Sequence, residues 1–289
     1  MQALLIDGLN LVRRVHAAVR LPHNREGDER AQIEEALKSL RRSLGRALRF
    51  HRPTHAVCAW ESDTPGWRHE KFAEYKKNRK PMPAMLRQSL PRFAELMSAM
   101  GIASLGVEGS EADDVIATLA TGIARHGGHS VILSTDNLFC QLLNEGVAVY
   151  DHFGKRFLDY EYVVKKYGVA PTLLRDFFAL SGVPSLNIPG AAGIGAVNAR
   201  ELLNHYGSLE ELFAAADDEG EDMPEKLSAG KESALLAQEL VGLRTDVKLG
   251  VNLKDLQYTY VRPERRPPGP AWENQPPAEQ DEPPLYDFE

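Results

Sequence analysis

Only two cysteines, Cys58 and Cys140, occur in the 289 residues, and both sit inside apolar runs. That scarcity excludes a disulfide-stapled secreted scaffold, and neither cysteine belongs to a zinc-ligand spacing. No apolar run is long enough to span a bilayer, and no signal peptide opens the chain, so the expectation is a soluble, cytoplasmic protein that makes no membrane contact. Positive charge is also short: the formal net charge is −7, which argues against indiscriminate attraction to nucleic acid. The average hides segregation, however. Arg and Lys concentrate between Arg13 and Arg92, whereas the last thirty residues are acidic and Pro-rich.

Three short apolar runs each finish in an acid. Ala3-Leu4-Leu5-Ile6 ends at Asp7-Gly8, Ala56-Val57-Cys58-Ala59-Trp60 ends at Glu61, and Val131-Ile132-Leu133 runs through Ser134-Thr135 to Asp136. Such runs read as strands buried on both faces. Helical segments lie between them, Gln32 to Phe50 and one that begins at Ser110. The alternation predicts an α/β fold with a mostly parallel central sheet flanked by helices. Ligands in such sheets bind beyond the carboxyl ends of the strands, which brings Asp7, Glu61 and Asp136 to one edge.

Gly109-Ser110-Glu111-Ala112-Asp113-Asp114 supplies further acids at that edge. Ser110 is expected as N-cap, with Asp113 three residues on in capping-box spacing, and Gly127-Gly128 as the stop. Acids in a first helical turn also answer the helix dipole, and that plainer reading stays open for the stretch alone. Six carboxylates gathered together change the balance. At about 5 Å and an effective dielectric near 20, each like-charge pair costs roughly 3 kcal/mol. Protonation or a divalent cation must relieve that repulsion. A donor set made only of oxygen (Asp7, Glu61, Glu111, Asp113, Asp114, Asp136) favours Mg²⁺ or Mn²⁺.

Trp67 to Pro83 mixes cations with aromatics. Arg68, Phe72, Tyr75 and Arg79 fall on one helical stripe, with Lys76, Lys77 and Lys80 nearby. The stretch reads either as a solvated basic helix or as a surface that grips a single strand of nucleic acid. Arg68, Tyr75, Lys76 and Arg79 are the candidate DNA contacts, and Lys76 and Arg79 the candidate catalytic cations beside Asp113. Arg13 and Arg14 brace the sheet edge or touch phosphate. His16, His51, His55 and His69 lack a nucleophile-and-acid context and read as structural, as do Trp60 and Trp67.

Past Tyr160 the pattern turns helical: Leu173 to Ser181, Asn198 to Tyr206, Leu209 to Phe213 and Ser233 to Leu243. Gly193-Ile194-Gly195 opens the second of these, where free amides suit a phosphate; a tight helix-to-helix turn uses the same glycines. From Tyr258 onward Pro, Glu and Asp dominate, and disorder is expected. The aromatic end of the tail, Pro283 to Glu289, has the look of a protein-docking peptide.

Together these motifs resemble the bacterial 5′-nuclease (flap endonuclease) family, found also as the amino-terminal domain of DNA polymerase I, and most closely its small exonuclease IX branch. The resemblance spans about residues 1–257. It rests on Leu5-Ile6-Asp7-Gly8, Trp67-Arg68-His69-Glu70, Tyr75-Lys76-Lys77-Asn78-Arg79-Lys80-Pro81-Met82-Pro83, Glu111-Ala112-Asp113-Asp114, Ser134-Thr135-Asp136, and Asn187-Ile188-Pro189-Gly190 leading into Gly193-Ile194-Gly195. It implies a PIN/5′-nuclease-like domain over 1–160 with a helical arch near 67–95, a helix–three-turn–helix module over 161–257, and a tail over 258–289. It also implies a monomer that cleaves 5′ ends or flaps of branched DNA, using Mg²⁺ or Mn²⁺. The module is similar to ones that hold K⁺ mostly by main-chain carbonyls, placed here on Ser185, Leu186, Ile188, Gly190, Ala192 and Ile194, with Gly193 and Gly195 on the DNA backbone. Leu138, Val183 and Leu186 stand where many members carry second-site carboxylates. That loss leaves a second reading, a weakly active or non-catalytic binder of branched DNA.

Overall fold

A computed structural model describes residues 1–22, 27–218 and 225–259. The tail from residue 260, including its aromatic end, lies outside the described residues. Residues 1–259 pack as one contact unit. Strand β1 (Gln2–Asp7) is followed by α1 (Gly8–Ala18) and α2 (Glu29–His51), then β2 (His55–Trp60), α3 (Trp67–Lys71), α4 (Ala84–Ala99), β3 (Ala103–Gly106), α5 (Ala112–Arg125), β4 (His129–Leu133), β5 (Val147–Asp151) and β6 (Arg156–Phe157). The helices α6 (Tyr160–Tyr167), α7 (Leu174–Ser181), α8 (Ala196–Tyr206), α9 (Leu209–Asp218) and α10 (Glu225–Val241) follow.

The six strands lie in the order β3-β2-β1-β4-β5-β6. All pair in parallel except β6, which runs antiparallel to β5. The apolar runs form the central strands because both sheet faces are covered. Leu5, Val57 and Ile132 pack towards α5 and the helices beyond α6. Leu4, Ile6, Cys58 and Val131 pack towards α1, α2 and α4. Chain order reverses between β1 and β4, so the switch point lies where β1 ends at Asp7. Ile6 is level with Cys58 and with Leu133, which brings the residues after those strands, Glu61 and Asp136, to the same edge. Gly8 is required there, because a Cβ would stand 2.8 Å from the Ala59 carbonyl oxygen.

The structure differs from the sequence reading in three local respects. The N-cap of α5 is Glu111 rather than Ser110, and no side chain caps it. The helical stripe from Arg68 to Arg79 does not form. Helix α3 ends at Lys71, turns follow, and Lys76 takes a left-handed φ of +57°, a conformation that a helix excludes. Residues 67–95, expected as a helical arch, are thus a short helix, a run of turns and most of α4. The buried face of α4, Leu86, Phe93 and Met97, joins the same core as α2.

Candidate active site

Asp7, Asn10, Arg13, Arg14, Glu61, Lys76, Arg79, Asp113 and Asp136 line one cleft of about 280 Å³ at the carboxyl edge of the sheet. Asp7 caps α1, its Oδ1 accepting from the Asn10 amide at 3.1 Å, while Oδ2 accepts from the Ser134 hydroxyl at 2.9 Å. Ser134 in turn accepts from the Asp136 amide at 3.1 Å, and Asp136 caps the next turn through the Leu138 amide at 2.9 Å. Asn10 accepts from the Thr135 hydroxyl at 3.1 Å. Ser134 and Asn10 thereby fix the relative placement of two acids, a role that the sequence reading missed. Their signal was the cap spacing Asp-x-x-Asn and the Ser two residues before Asp136.

The electrostatics of the cleft are strained. Burial, aided by the negative charges of Asp136 and Glu61, pushes the Asp7 carboxyl up to about 6. Asp113 is driven well above the usual carboxylate range by burial and by Asp7 and Asp136. Among the described residues no hydrogen bond reaches its carboxylate. Glu61 moves the other way. Burial opposes its charge, but Lys76 at 3.0 Å prevails and keeps it low.

Two of the six acids expected as metal ligands face elsewhere. Asp114 is 1% exposed. Arg68 grips it with both terminal nitrogens at 2.8 Å, Trp67 Nε1 donates to it at 2.9 Å, and the Arg244 amide at 3.0 Å. Those four bonds use its lone pairs, so it is a structural anchor rather than a metal ligand. Glu111 is also buried, its Oε2 taken by Arg68 at 2.7 Å and Tyr75 at 3.1 Å and its Oε1 by Lys76 at 2.6 Å.

Arg68 and Tyr75 are likewise withdrawn from DNA. All five guanidinium N–H groups of Arg68 are used: two on Asp114, one on Glu111, and one each on the carbonyls of Leu240 and Gly242 at 2.8 Å. A buried Arg stripped of water must be satisfied in this way, and it welds the end of α10 to the start of α5. Tyr75 is buried with its ring edge-on to His69 at 5.1 Å, so it has no face to offer a base. Lys76 and Arg79 do line the cleft, and Lys76 Nζ bridges Glu61 and Glu111.

The carbonyl set expected for K⁺ is largely engaged. Ser185 O accepts from Arg79 Nε at 3.3 Å, Leu186 O from the Lys76 amide at 2.8 Å, Ile188 O from the Val183 amide at 2.9 Å, and Gly190 O from the Ser233 hydroxyl at 2.8 Å. Each of these four carbonyls accepts one hydrogen bond and keeps a second lone pair. Ala192 and Ile194 carbonyls carry no such bond among the described residues. Gly193 and Gly195 are exposed, and Gly195 caps α8 with no side chain over its amides. Leu138 and Leu186 are buried in the core that also holds Tyr75 and Ala112, with Val183 packed against it. The positions of a second acidic set are therefore filled with packed hydrocarbon.

Among the described residues no three carboxylate, imidazole or thiol groups stand ready-made as a metal cage. The donor chemistry nevertheless fits a hard, hydrated cation. Mg²⁺ keeps several waters and takes only one or two carboxylates directly, and Asp7 and Asp113, raised by burial and then by neighbouring carboxylates, are acids whose ionised form such a cation would favour.

A parallel α/β domain with acids at its switch point, joined to a helical module, defines the class, and comparison with known proteins gives the family. Residues 2–168 match the model for the 5′-3′ exonuclease N-terminal resolvase-like domain, and residues 169–264 that for the 5′-3′ exonuclease C-terminal SAM fold. The chain belongs to the 5′-3′ exonuclease family. It is 43% identical to the flap endonuclease Xni of Psychromonas ingrahamii over 256 residues, covering 89% of this chain and 97% of that one. To the flap endonuclease Xni of Aeromonas salmonicida it is 40% identical over 260 residues, covering 88% and 96%. Among solved structures, phage T5 5′-exonuclease with bound zinc matches with a TM-score of 0.70 at 20% identity, covering 85% of this chain and 90% of that one. A T5 flap endonuclease in a pseudo-enzyme–product complex with DNA and metal ions matches at a TM-score of 0.64 and 18% identity, covering 83% and 88%. These structural matches speak to the fold.

Proposed function

We propose that this protein is a metal-dependent 5′-3′ exonuclease and flap endonuclease acting on 5′-ended or branched DNA. The observation that carries the reading is the meeting of Asp7, Asp113 and Asp136 in one cleft with Lys76 and Arg79 on its wall. Asp7 and Asp113 would hold Mg²⁺ or Mn²⁺, with Asp136 and Glu61 acting through bound water; the ion supplies an acidified water and charge to offset the scissile phosphate. The protein's own part is positioning. Ser134 and Asn10 fix the acids, Glu111 and Glu61 aim the Lys76 ammonium at the cleft mouth, and Arg79 adds a second cation where phosphate charge grows. Names carried by the relatives, flap endonuclease and 5′-exonuclease, support the same reaction.

In this reading residues 1–160 form the nuclease domain and 161–257 a DNA-binding module, whose exposed Gly193 and Gly195 amides take a duplex phosphate. A K⁺ ion belongs to the same loop, with Ala192 and Ile194 as the donors left free, and exchange of KCl for LiCl should weaken duplex binding. The protein works as a cytoplasmic monomer. A labelled 5′-flap incubated with Mg²⁺ or Mn²⁺, with chelator as control, tests the reaction. Cleavage that Asp113→Ala abolishes is the expected result; equal cleavage by Asp113→Ala overturns the site.

One observation favours a second reading. Because Leu138, Val183 and Leu186 are packed as hydrocarbon, a second metal finds few ligands, and a weakly active or non-catalytic binder of branched DNA follows. Flap affinity with no metal-stimulated cleavage would select it.

A further inference from the structure

Away from the acids, exposed rings gather along α2 and the β5–β6 edge. Phe50 is 62% exposed, Phe157 41% and Phe153 37%. They are not scattered. Phe153 meets His152 at 5.9 Å between ring centres, His152 meets Tyr150 at 6.4 Å, and Tyr150 stacks on Phe50 at 5.5 Å with the planes 30° apart. Phe157 leans on Tyr150 at 4.9 Å. A contiguous apolar patch on a surface marks a binding site more often than an isolated exposed ring does.

Cations border this ladder. Arg46 and Lys155 line a pocket of about 170 Å³ together with Phe50, Tyr150 and His152. At the other end the Arg14 guanidinium lies 5.7 Å from the centre of the Phe153 ring, and Arg14 also lines the acidic cleft. One side chain therefore joins the two surfaces. The nearby acid, Asp151, is tied up by the Phe153 and Gly154 amides at 3.0 and 2.9 Å, with Arg156 3.9 Å away. His51 beneath the rings is kept neutral by burial and by His152, so the floor carries no charge. Exposed rings bordered by guanidinium and ammonium groups suit a chain whose monomers each carry a π-face and a negative charge.

We propose that the surface built on Phe50, Phe153 and Phe157, with Arg14, Arg46 and Lys155, binds an unpaired strand of DNA that continues out of the catalytic cleft. Bases stack on the rings and phosphates lie along the three cations. The surface needs no metal, so its test is independent of hydrolysis.

Fluorescence anisotropy of a labelled oligothymidylate longer than about 16 nucleotides, titrated in chelator with the full chain, reads it directly. The triple variant Phe50→Ala, Arg46→Ala, Lys155→Ala should bind at least tenfold more weakly, with the slope of log affinity against log salt reduced by about 1.4, two phosphates' worth for single strands. A blunt duplex should bind unchanged. Superimposable oligothymidylate titrations would overturn the proposal, and so would an equal loss on blunt duplex, which would mark general charge attraction. Should the triple variant lose its cooperative melting transition, Phe50→Trp against Phe50→Leu decides. Retained affinity in the first with a tenfold loss in the second supports stacking, and equal affinity in the two overturns it.

Discussion

The main-chain amide of Lys76 donates to the carbonyl of Leu186 at 2.8 Å, across more than a hundred residues of sequence. Three side chains reinforce that link: Asn78 on Pro184 O at 2.7 Å, Arg79 on Ser185 O, and Asn187 on Glu74 O at 2.7 Å. Lys76 and Asn187 both hold left-handed φ, +57° and +56°. The ammonium that bridges Glu61 and Glu111 is thus held by a clasp between the basic segment and the loop of the helical module.

The clasp makes Asn187 a positioning residue for Lys76. Asn187→Ala removes its bond to Glu74 and puts a residue less tolerant of left-handed φ in that turn, at a cost of about 1–3 kcal/mol. We expect a lower melting temperature and a drop in kcat larger than the rise in KM on a 5′-flap. Asn187→Gly, which restores the backbone freedom but not the bond, should recover part of the stability and little of the rate. If both variants cleave as wild type does, the clasp does not position Lys76.

How far the sequence reached can be judged at these residues. Asp7 and Asp136 were legible because each follows a buried apolar run, and strand ends converge by topology. Lys76 and Arg79 were legible as candidate cleft cations from the run of cations and aromatics that follows Trp67. That Asp114 serves as an anchor was not, since Arg68, Trp67 and the Arg244 amide claim it from segments distant in sequence. Tyr75 was misjudged for a similar reason: a left-handed lysine breaks the stripe, and periodicity carries no sign of it. The bonds that engage the Ser185, Leu186 and Gly190 carbonyls come from segments far away in sequence and leave no local trace.

Arg68 should behave as a core residue. Arg68→Met leaves Asp114 and Glu111 buried with lost partners, which costs on the order of 3–5 kcal/mol. The expected outcome is a large fall in melting temperature. The salt slope of DNA binding by the folded fraction, measured well below that melting point, should be unchanged. A slope reduced by a full phosphate contact, with stability intact, would restore Arg68 to the DNA surface.

Returning an acid to the hydrocarbon-filled positions should not rebuild a second site. Leu186 is 3% exposed in the main core, and an unpaired carboxylate there is heavily penalised. Leu186→Asp is expected to lower stability by several kcal/mol in denaturant unfolding and to leave Mg²⁺-dependent cleavage no faster. A large rate gain would show that the loop opens to admit the charge, contrary to the packing.

The acids at the switch point predict a pH dependence with a definite sign. Asp7 titrates near 6 in the folded chain against an ordinary value of 3.8. The fold therefore favours its protonated form. Its stabilising contribution is complete below about pH 4 and is lost as pH rises through about 6. For that shift the loss is on the order of 3 kcal/mol. Asp113 moves in the same direction, whereas Glu61, held low by Lys76 against its burial, loses stability as pH falls. Metal-free protein should accordingly melt at a lower temperature at pH 7 than at pH 5. Asp7→Asn, which keeps the side-chain acceptor towards the Asn10 amide and cannot ionise, should flatten that decline while abolishing flap cleavage. Mg²⁺ at pH 7 should raise the wild-type melting temperature and leave that of Asp7→Asn almost unmoved. An Asp7→Asn profile that falls as steeply as wild type between pH 5 and 7 would mean that the strain of the cleft lies elsewhere than in Asp7.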